Sequence, residues 1–238
     1  MMSENITLEL SVPTRMSDIK LEQYQKYLKV VDGVEQESEE SVNFVNLKAL
    51  EIFCGLQLKE SYKLPLSEFG GIIEDLSSAL AEKTPLVKRF WFRGDNGNEV
   101  EFGMIPDLNN MSFGEYVDLD TYLADWELMN KAIGVLYRPL TYKKKHQYLI
   151  EDYESADKYD MTEVTLDVVF GAIVFFYSLK NELQKTILNY LATQKEVELP
   201  QHLRDSLQNG AGINLSTDLL METFSNTIKL QNQNYTPV

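Results

Sequence analysis

With two histidines and one cysteine among 238 residues, any chemistry in this chain has to come mainly from carboxylates. Asp107, Glu115, Asp118, Asp120 and Asp125 form an acidic series. Glu115 and Asp118 stand three residues apart, a spacing that can share one helical face. Such a set could hold an oxygen-ligated cation or supply paired carboxylates for glycoside hydrolysis. The ligand spacing of an EF-hand is absent, and nothing selects one acid–base pair from 37 aspartates and glutamates. Zinc needs about four ligands, usually Cys or His, and Cys54, His146 and His202 are too few and too scattered. The chain has no GxxxxGK[ST], GxGxxG or GxSxG phrase, so no phosphate cradle or nucleophile elbow is written. Gly70-Gly71 and Gly210-Ala211-Gly212 are lone glycine clusters, a pattern found more often in turns than in phosphate sites.

The same residues have a structural use. Ser112 and Glu115 spell a capping box, in which Ser112 accepts from the third helical N–H and Glu115 reaches back. Met111 and Tyr116 sit at the positions of a hydrophobic staple, and Asp125 can cap the next helix. Arg138 precedes Pro139, which disfavours helix at Arg138, and a cation there complements a helix C-terminus. Ser112, Glu115, Asp125 and Arg138 are therefore assigned to capping, and no catalytic, cofactor-binding or metal-ligating residue is assigned. Aromatic residues crowd the same region, and Trp91, Tyr122, Trp126 and the distant Phe224 are the candidate interface residues.

The elements that must place these groups follow from periodicity. Ile6–Val12 alternates as a half-buried strand does, and Pro13 ends it. Ser17 and Asp18 resemble a helix start, giving a short amphipathic helix over Asp18–Lys29. Asp32–Ser41 reads as an acidic loop. Asn43–Leu58 is helical with Phe44, Leu47, Leu50, Phe53 and Cys54 on one face, and Pro65–Ala81 is a second helix. Leu86–Arg93 and Glu99–Ile105 are strand-like, joined through Asn96-Gly97 as a hairpin. That hairpin needs helices or the Ile6 strand against it. The capped helix after Ser112 and a second one end at Tyr137-Arg138-Pro139. Lys143–Tyr153 is either a strand or an extended arm. Thr162–Leu191 is the longest helix, buried on most sides in its first half, with Gly171 permitting a close helix crossing. Gln201–Gln208 and Ser216–Leu230 carry further helical spacing. The fold class expected is α+β, predominantly helical, with helices around a small antiparallel hairpin or sheet. Residues 1–194 read as one main domain, with 195–238 as a C-terminal helical extension, either a docking arm or the last helix of the core.

Composition limits the partners. Hydrophobic residues at 44% allow a sizeable core, and charged residues at 25% are ordinary for a globular chain. The net charge of -15 opposes binding to phosphate backbones. Lys143-Lys144-Lys145-His146 is the one locally basic run and reads as a solvated loop or strand end. A basic or neutral protein partner suits the acidic surface better. A single cysteine excludes an intramolecular disulfide and suits a reducing compartment. The N-terminus lacks the pattern of a secretory signal. The longest apolar run, Val168–Tyr177, is half the ~20 residues of a membrane span. Neither a membrane nor direct nucleic-acid contact is expected.

Three phrases are distinctive: Phe102–Leu108 (FGMIPDL), Met111–Tyr122 (MSFGEYVDLDTY) and Val135–Pro139 (VLYRP). Together with Asp18–Leu28 (DIKLEQYQKYL) and Gly171–Phe176 (GAIVFF), they resemble morphogenesis and virion proteins of tailed bacteriophages. The likeness is to the crAss-like and T-even-like kind, of the baseplate-hub or tail-assembly type, over roughly residues 8 to 190. The resemblance implies a non-enzymatic structural or assembly protein without a cofactor. Its expected partners are other phage structural proteins at a connector, tail or baseplate, and possible self-association would fall within a symmetric assembly. It implies residence in the host cytoplasm during assembly, and in the virion if the protein is structural. An assembly chaperone that leaves the particle is the alternative, and an acidic-site hydrolase is a third.

Overall fold

The computed structural model describes residues 10–34, 38–94, 97–107, 111–145 and 147–178. The Ile6 strand and the segments after residue 178 fall almost wholly outside these residues, as do Phe224 and both histidines. The chain divides into two compact units, with the division between Lys83 and Thr84. That division lies inside the segment read from sequence as one domain. The proposed boundary near residue 194 lies outside the described residues.

The first unit is helical. Helix α1 (Leu21–Asp32) buries Leu21, Tyr24, Tyr27 and Leu28, and the Tyr27 ring lies 5.3 Å from that of Phe53. It starts later than the sequence suggests. The Asp18 carboxylate accepts from the Thr14 and Arg15 N–H groups, closing a turn before the helix. Gln23 Oε1 then accepts from the Lys20 N–H at 2.9 Å. Helix α2 (Glu39–Cys54) starts earlier than expected. Ser38 accepts from the Ser41 N–H, which places Glu39 and Glu40 in the first turn, where the helix dipole favours carboxylates. The acid cluster read as loop thus supplies a helix start. Asn46, Ala49, Leu50 and Phe53 are buried, whereas Phe44 is exposed, so the buried face is rotated from the one predicted. Gly55, at φ +69°, ends the helix. A single turn, α3 (Leu58–Ser61), leads to α4 (Leu66–Leu80), with Pro65 at its N-cap.

The second unit holds a four-stranded antiparallel sheet of β1 (Arg89–Arg93), β2 (Glu99–Met104), β3 (Tyr137–Lys144) and β4 (Gln147–Ile150), in that order. Gly97, at φ +74°, turns β1 into β2, a backbone state that glycine adopts freely. Between β2 and β3 lie α5 (Phe113–Tyr122) and α6 (Met129–Leu136), which pack on each other. Phe102 opposes Pro139, and Met104 opposes Tyr137. Phe90, Phe92, Phe102, Tyr137 and Tyr159 form an aromatic cluster with ring centroids 5.1–6.0 Å apart. Residues 166–178 are helical and bury Leu166, Val168, Val169, Ala172 and Ile173. The fold is α+β and dominated by helix. Among the described residues no helix is long and apolar enough to cross a membrane.

Candidate functional site

The acidic series leads to a charged network between α5, β3 and residues 151–159. Ser112 starts α5 as the sequence requires. Its hydroxyl accepts from the Glu115 N–H at 3.2 Å, and Glu115 Oε2 accepts from the Ser112 N–H at 2.7 Å. The other oxygen, Glu115 Oε1, accepts from Arg138 Nη1 at 2.5 Å. Both residues are buried. Desolvation opposes the Glu115 charge, but the Ser112 groups and the Arg138 guanidinium outweigh it and hold the carboxyl below its ordinary value.

Arg138 does not cap a helix. α6 ends at Leu136, and β3 begins at Tyr137 with no intervening loop. In strand geometry the Arg138 side chain leaves the helix end and reaches α5 instead. Its guanidinium also lies 5.5 Å from the centre of the Tyr153 ring. The Tyr153 hydroxyl donates to Asp118 Oδ2 at 2.6 Å. Burial and that bond push the Tyr153 hydroxyl well above its ordinary value.

A second cluster adjoins it. Lys158 Nζ donates to Glu151 Oε1 at 2.8 Å, and the Tyr159 hydroxyl donates to Glu151 Oε2 at 2.6 Å. Bonds from Lys158 and Tyr159, followed by the charges of Lys158 and Arg138, lower the Glu151 carboxyl. Glu115, Asp118 and Glu151 thus each accept from a donor of the protein itself. Among the described residues no group of three or more His, Cys, Asp or Glu side chains is placed to hold a metal ion.

Asp125 accepts from the Glu127 N–H at 2.8 Å and caps the 3-10 turn Trp126–Leu128 that runs into α6. Of the aromatic interface candidates, Trp91 is exposed on β1. Tyr122 is half-buried, with Lys131 Nζ 5.6 Å from its ring centre. Trp126 is a core residue, 5.6 Å ring to ring from Phe170, because the turn capped by Asp125 points it inward. Phe224 lies outside the described residues. Lys143 and Lys144 close β3, and Lys143 bonds to Glu101 at 2.7 Å, in keeping with a strand-end reading of the basic run. Sequence reasoning missed Tyr153, Glu151 and Lys158, whose partners are non-local or in an irregular segment.

α5 presents the opposite character on its outside. Phe113, Tyr116 and Val117 are 82%, 47% and 43% exposed. No family model matches the chain, and no curated protein or solved structure matches it.

Proposed function

We propose that this chain is a non-enzymatic bacteriophage structural or assembly protein that docks other virion proteins at a connector, tail or baseplate. The observation that carries the reading is the two-sidedness of α5. Its inward carboxylates are taken up by Ser112, Arg138 and Tyr153, while three large apolar side chains face outward. Exposed apolar groups gathered on one element mark interaction surfaces. Carboxylates that already accept from the protein's own donors are suited to holding a scaffold rather than to turning over a substrate. The phrases that resemble phage morphogenesis proteins, MSFGEYVDLDTY and VLYRP, contain both halves of this scaffold, Glu115 and Arg138.

Mass spectrometry of purified virions tests the reading. Stoichiometric presence supports a structural part. Absence from the particle removes that version and leaves the chaperone version. Affinity capture from infected cells then decides, since a chaperone must co-purify with a tail or neck protein, and failure to do so overturns the proposal.

A further inference from the structure

We propose that the outer edge of β1 (Arg89–Arg93) takes an extended acidic segment of another protein as a fifth strand of the sheet. The phase of the ladder shows which backbone groups are available. The Lys88 carbonyl accepts from the Met104 N–H at 3.0 Å, and the Gly94 N–H donates to the Asn98 carbonyl at 2.9 Å. Bonded pairs alternate along an antiparallel ladder. Phe90 and Phe92, opposite Phe102 and Val100, therefore turn their backbone groups to β2, and Arg89, Trp91 and Arg93 turn theirs outward. β1 is an end strand of the sheet. Among the described residues these three outward N–H groups and three carbonyls have no partner. Such a row is a template for a further strand. The Trp91 side chain is 66% exposed, so the strand is open on that face as well.

Charge selects the occupant. The chain is acidic as a whole, but Thr84–Gly94 holds Lys88, Arg89 and Arg93 and no carboxylate. Arg89, Trp91 and Arg93 alternate with the two phenylalanines and so share a face. Arg89 lies 3.3 Å from Glu101 on β2. Arg93 is exposed and, with Glu99 opposite it in register, makes no ion pair among the described residues. Residues of an added strand that stand opposite these three point to the same face, and carboxylates there meet Arg89 and Arg93 on either side of Trp91. A second copy pairing antiparallel about Trp91 would set Arg89 against Arg93 twice, with like charges directly opposite. Phosphates of a nucleic acid or a lipid surface suit the arginines, but their oxygens only accept, and the three outward carbonyls would face anions. An acidic peptide supplies N–H donors and carboxylates together.

The test uses the full chain and a labelled synthetic peptide that alternates glutamate with valine, read by anisotropy. Its lysine–valine counterpart is the control. The wild type should bind the glutamate peptide, more weakly as salt rises, and should not bind the lysine peptide. Only one edge of the added strand faces β1, so N-methylation of every second peptide N–H should weaken binding about tenfold or more in one phase and little in the other. Arg93→Glu should weaken binding several-fold. Lys63→Glu, the same charge change at an exposed position of the other unit, should alter it less than about twofold. Equal behaviour of the two N-methylated phases overturns the proposal, as does equal loss with Lys63→Glu. Slow amide exchange at Arg89, Trp91 and Arg93 in the free protein would show the edge already covered by this chain. Self-association in sedimentation that the glutamate peptide displaces would assign the edge to a second copy. Binding of a single-stranded oligonucleotide that exceeds peptide binding and is lost in Arg93→Glu would assign it to nucleic acid. Each of these three results overturns the acidic-strand proposal. The inference does not depend on the phage reading: peptide binding decides this edge, and the virion and affinity-capture experiments decide that reading.

Discussion

Glu115 and Arg138 stand 23 residues apart and meet at 2.5 Å through side chains that are each 9% exposed. One carboxylate serves two structures. Oε2 closes the capping box on Ser112, and Oε1 receives the guanidinium of a strand residue opposite Gly103. The start of α5 is thereby tied to the middle of the sheet. Residues that would read as an acidic active site, if only their types were considered, form a joint between helix and strand.

Removing both partners should cost less than the two single losses added together. Arg138→Met leaves a buried carboxylate with its cation missing, which should destabilise by about 3–5 kcal/mol. Glu115→Gln weakens both the box and the pair. The double variant leaves no buried charge at the joint, so it should be less destabilised than the sum of the singles by roughly 0.5–3 kcal/mol. Urea denaturation of the four proteins at neutral pH measures the coupling. Strict additivity would show that the two residues do not act as a unit.

Acid should weaken this joint. The folded-state value of Glu115 lies below its ordinary 4.5, and the same direction holds for Glu151. A carboxyl lowered in the folded state stabilises the fold above its unfolded value, and the contribution fades as pH falls through the folded value. Stability should therefore fall from about pH 4.5 downward. The urea midpoint of the wild type should drop more steeply between neutral and acidic pH than that of Glu115→Gln. Parallel slopes would mean that Glu115 carries no linked proton.

Local signals were legible, and non-local ones were not. The S-x-x-E of Ser112 and Glu115, the Asn96-Gly97 hairpin and the proline breaks at Pro65 and Pro139 each depend on neighbours within a few residues. Their readings agree with α5, the β1–β2 turn, α4 and the end of α6. Arg138 failed the same logic. Its place before Pro139 marks a helix end, but whether the cation stays there depends on a carboxylate 23 residues upstream. Phe44 fits an apolar face by spacing, yet α2 buries Asn46 and Ala49 instead, since helical periodicity gives the spacing of a face and leaves its angle to tertiary packing. The β4 strand, four residues long, was short enough to read equally as an extended arm.

The two tryptophans should report opposite environments. Trp91 is 66% exposed on β1, and Trp126 is 8% exposed against Phe170. Trp126→Phe leaves only Trp91, so its emission should be red-shifted and readily quenched by acrylamide. Trp91→Phe leaves Trp126, so its emission should be blue-shifted and protected. Trp91→Phe should also leave stability within about 0.5 kcal/mol, as surface changes do. Equal quenching of the two variants would contradict the burial of Trp126.

Glycine-to-alanine changes in two helices should have opposite signs. At Gly171 a Cβ would lie 2.7 Å from the Pro85 carbonyl oxygen and 3.2 Å from Leu86 Cα. Both neighbours are backbone and have no rotamer through which to yield. The close approach predicted for Gly171 therefore exists, but to a segment before β1 rather than to a helix. Gly171→Ala should cost about 1–3 kcal/mol, the range for overpacking. In α4, a Cβ at Gly70 or Gly71 would meet nothing within 4 Å. Gly70→Ala and Gly71→Ala there add helix propensity and reduce unfolded-state freedom, so each should stabilise by about 0.4–1 kcal/mol. Thermal and urea unfolding of the three variants checks the signs. A neutral Gly171→Ala would show that the 85–86 segment yields to the added methyl, and that the close contact places no constraint on this helix.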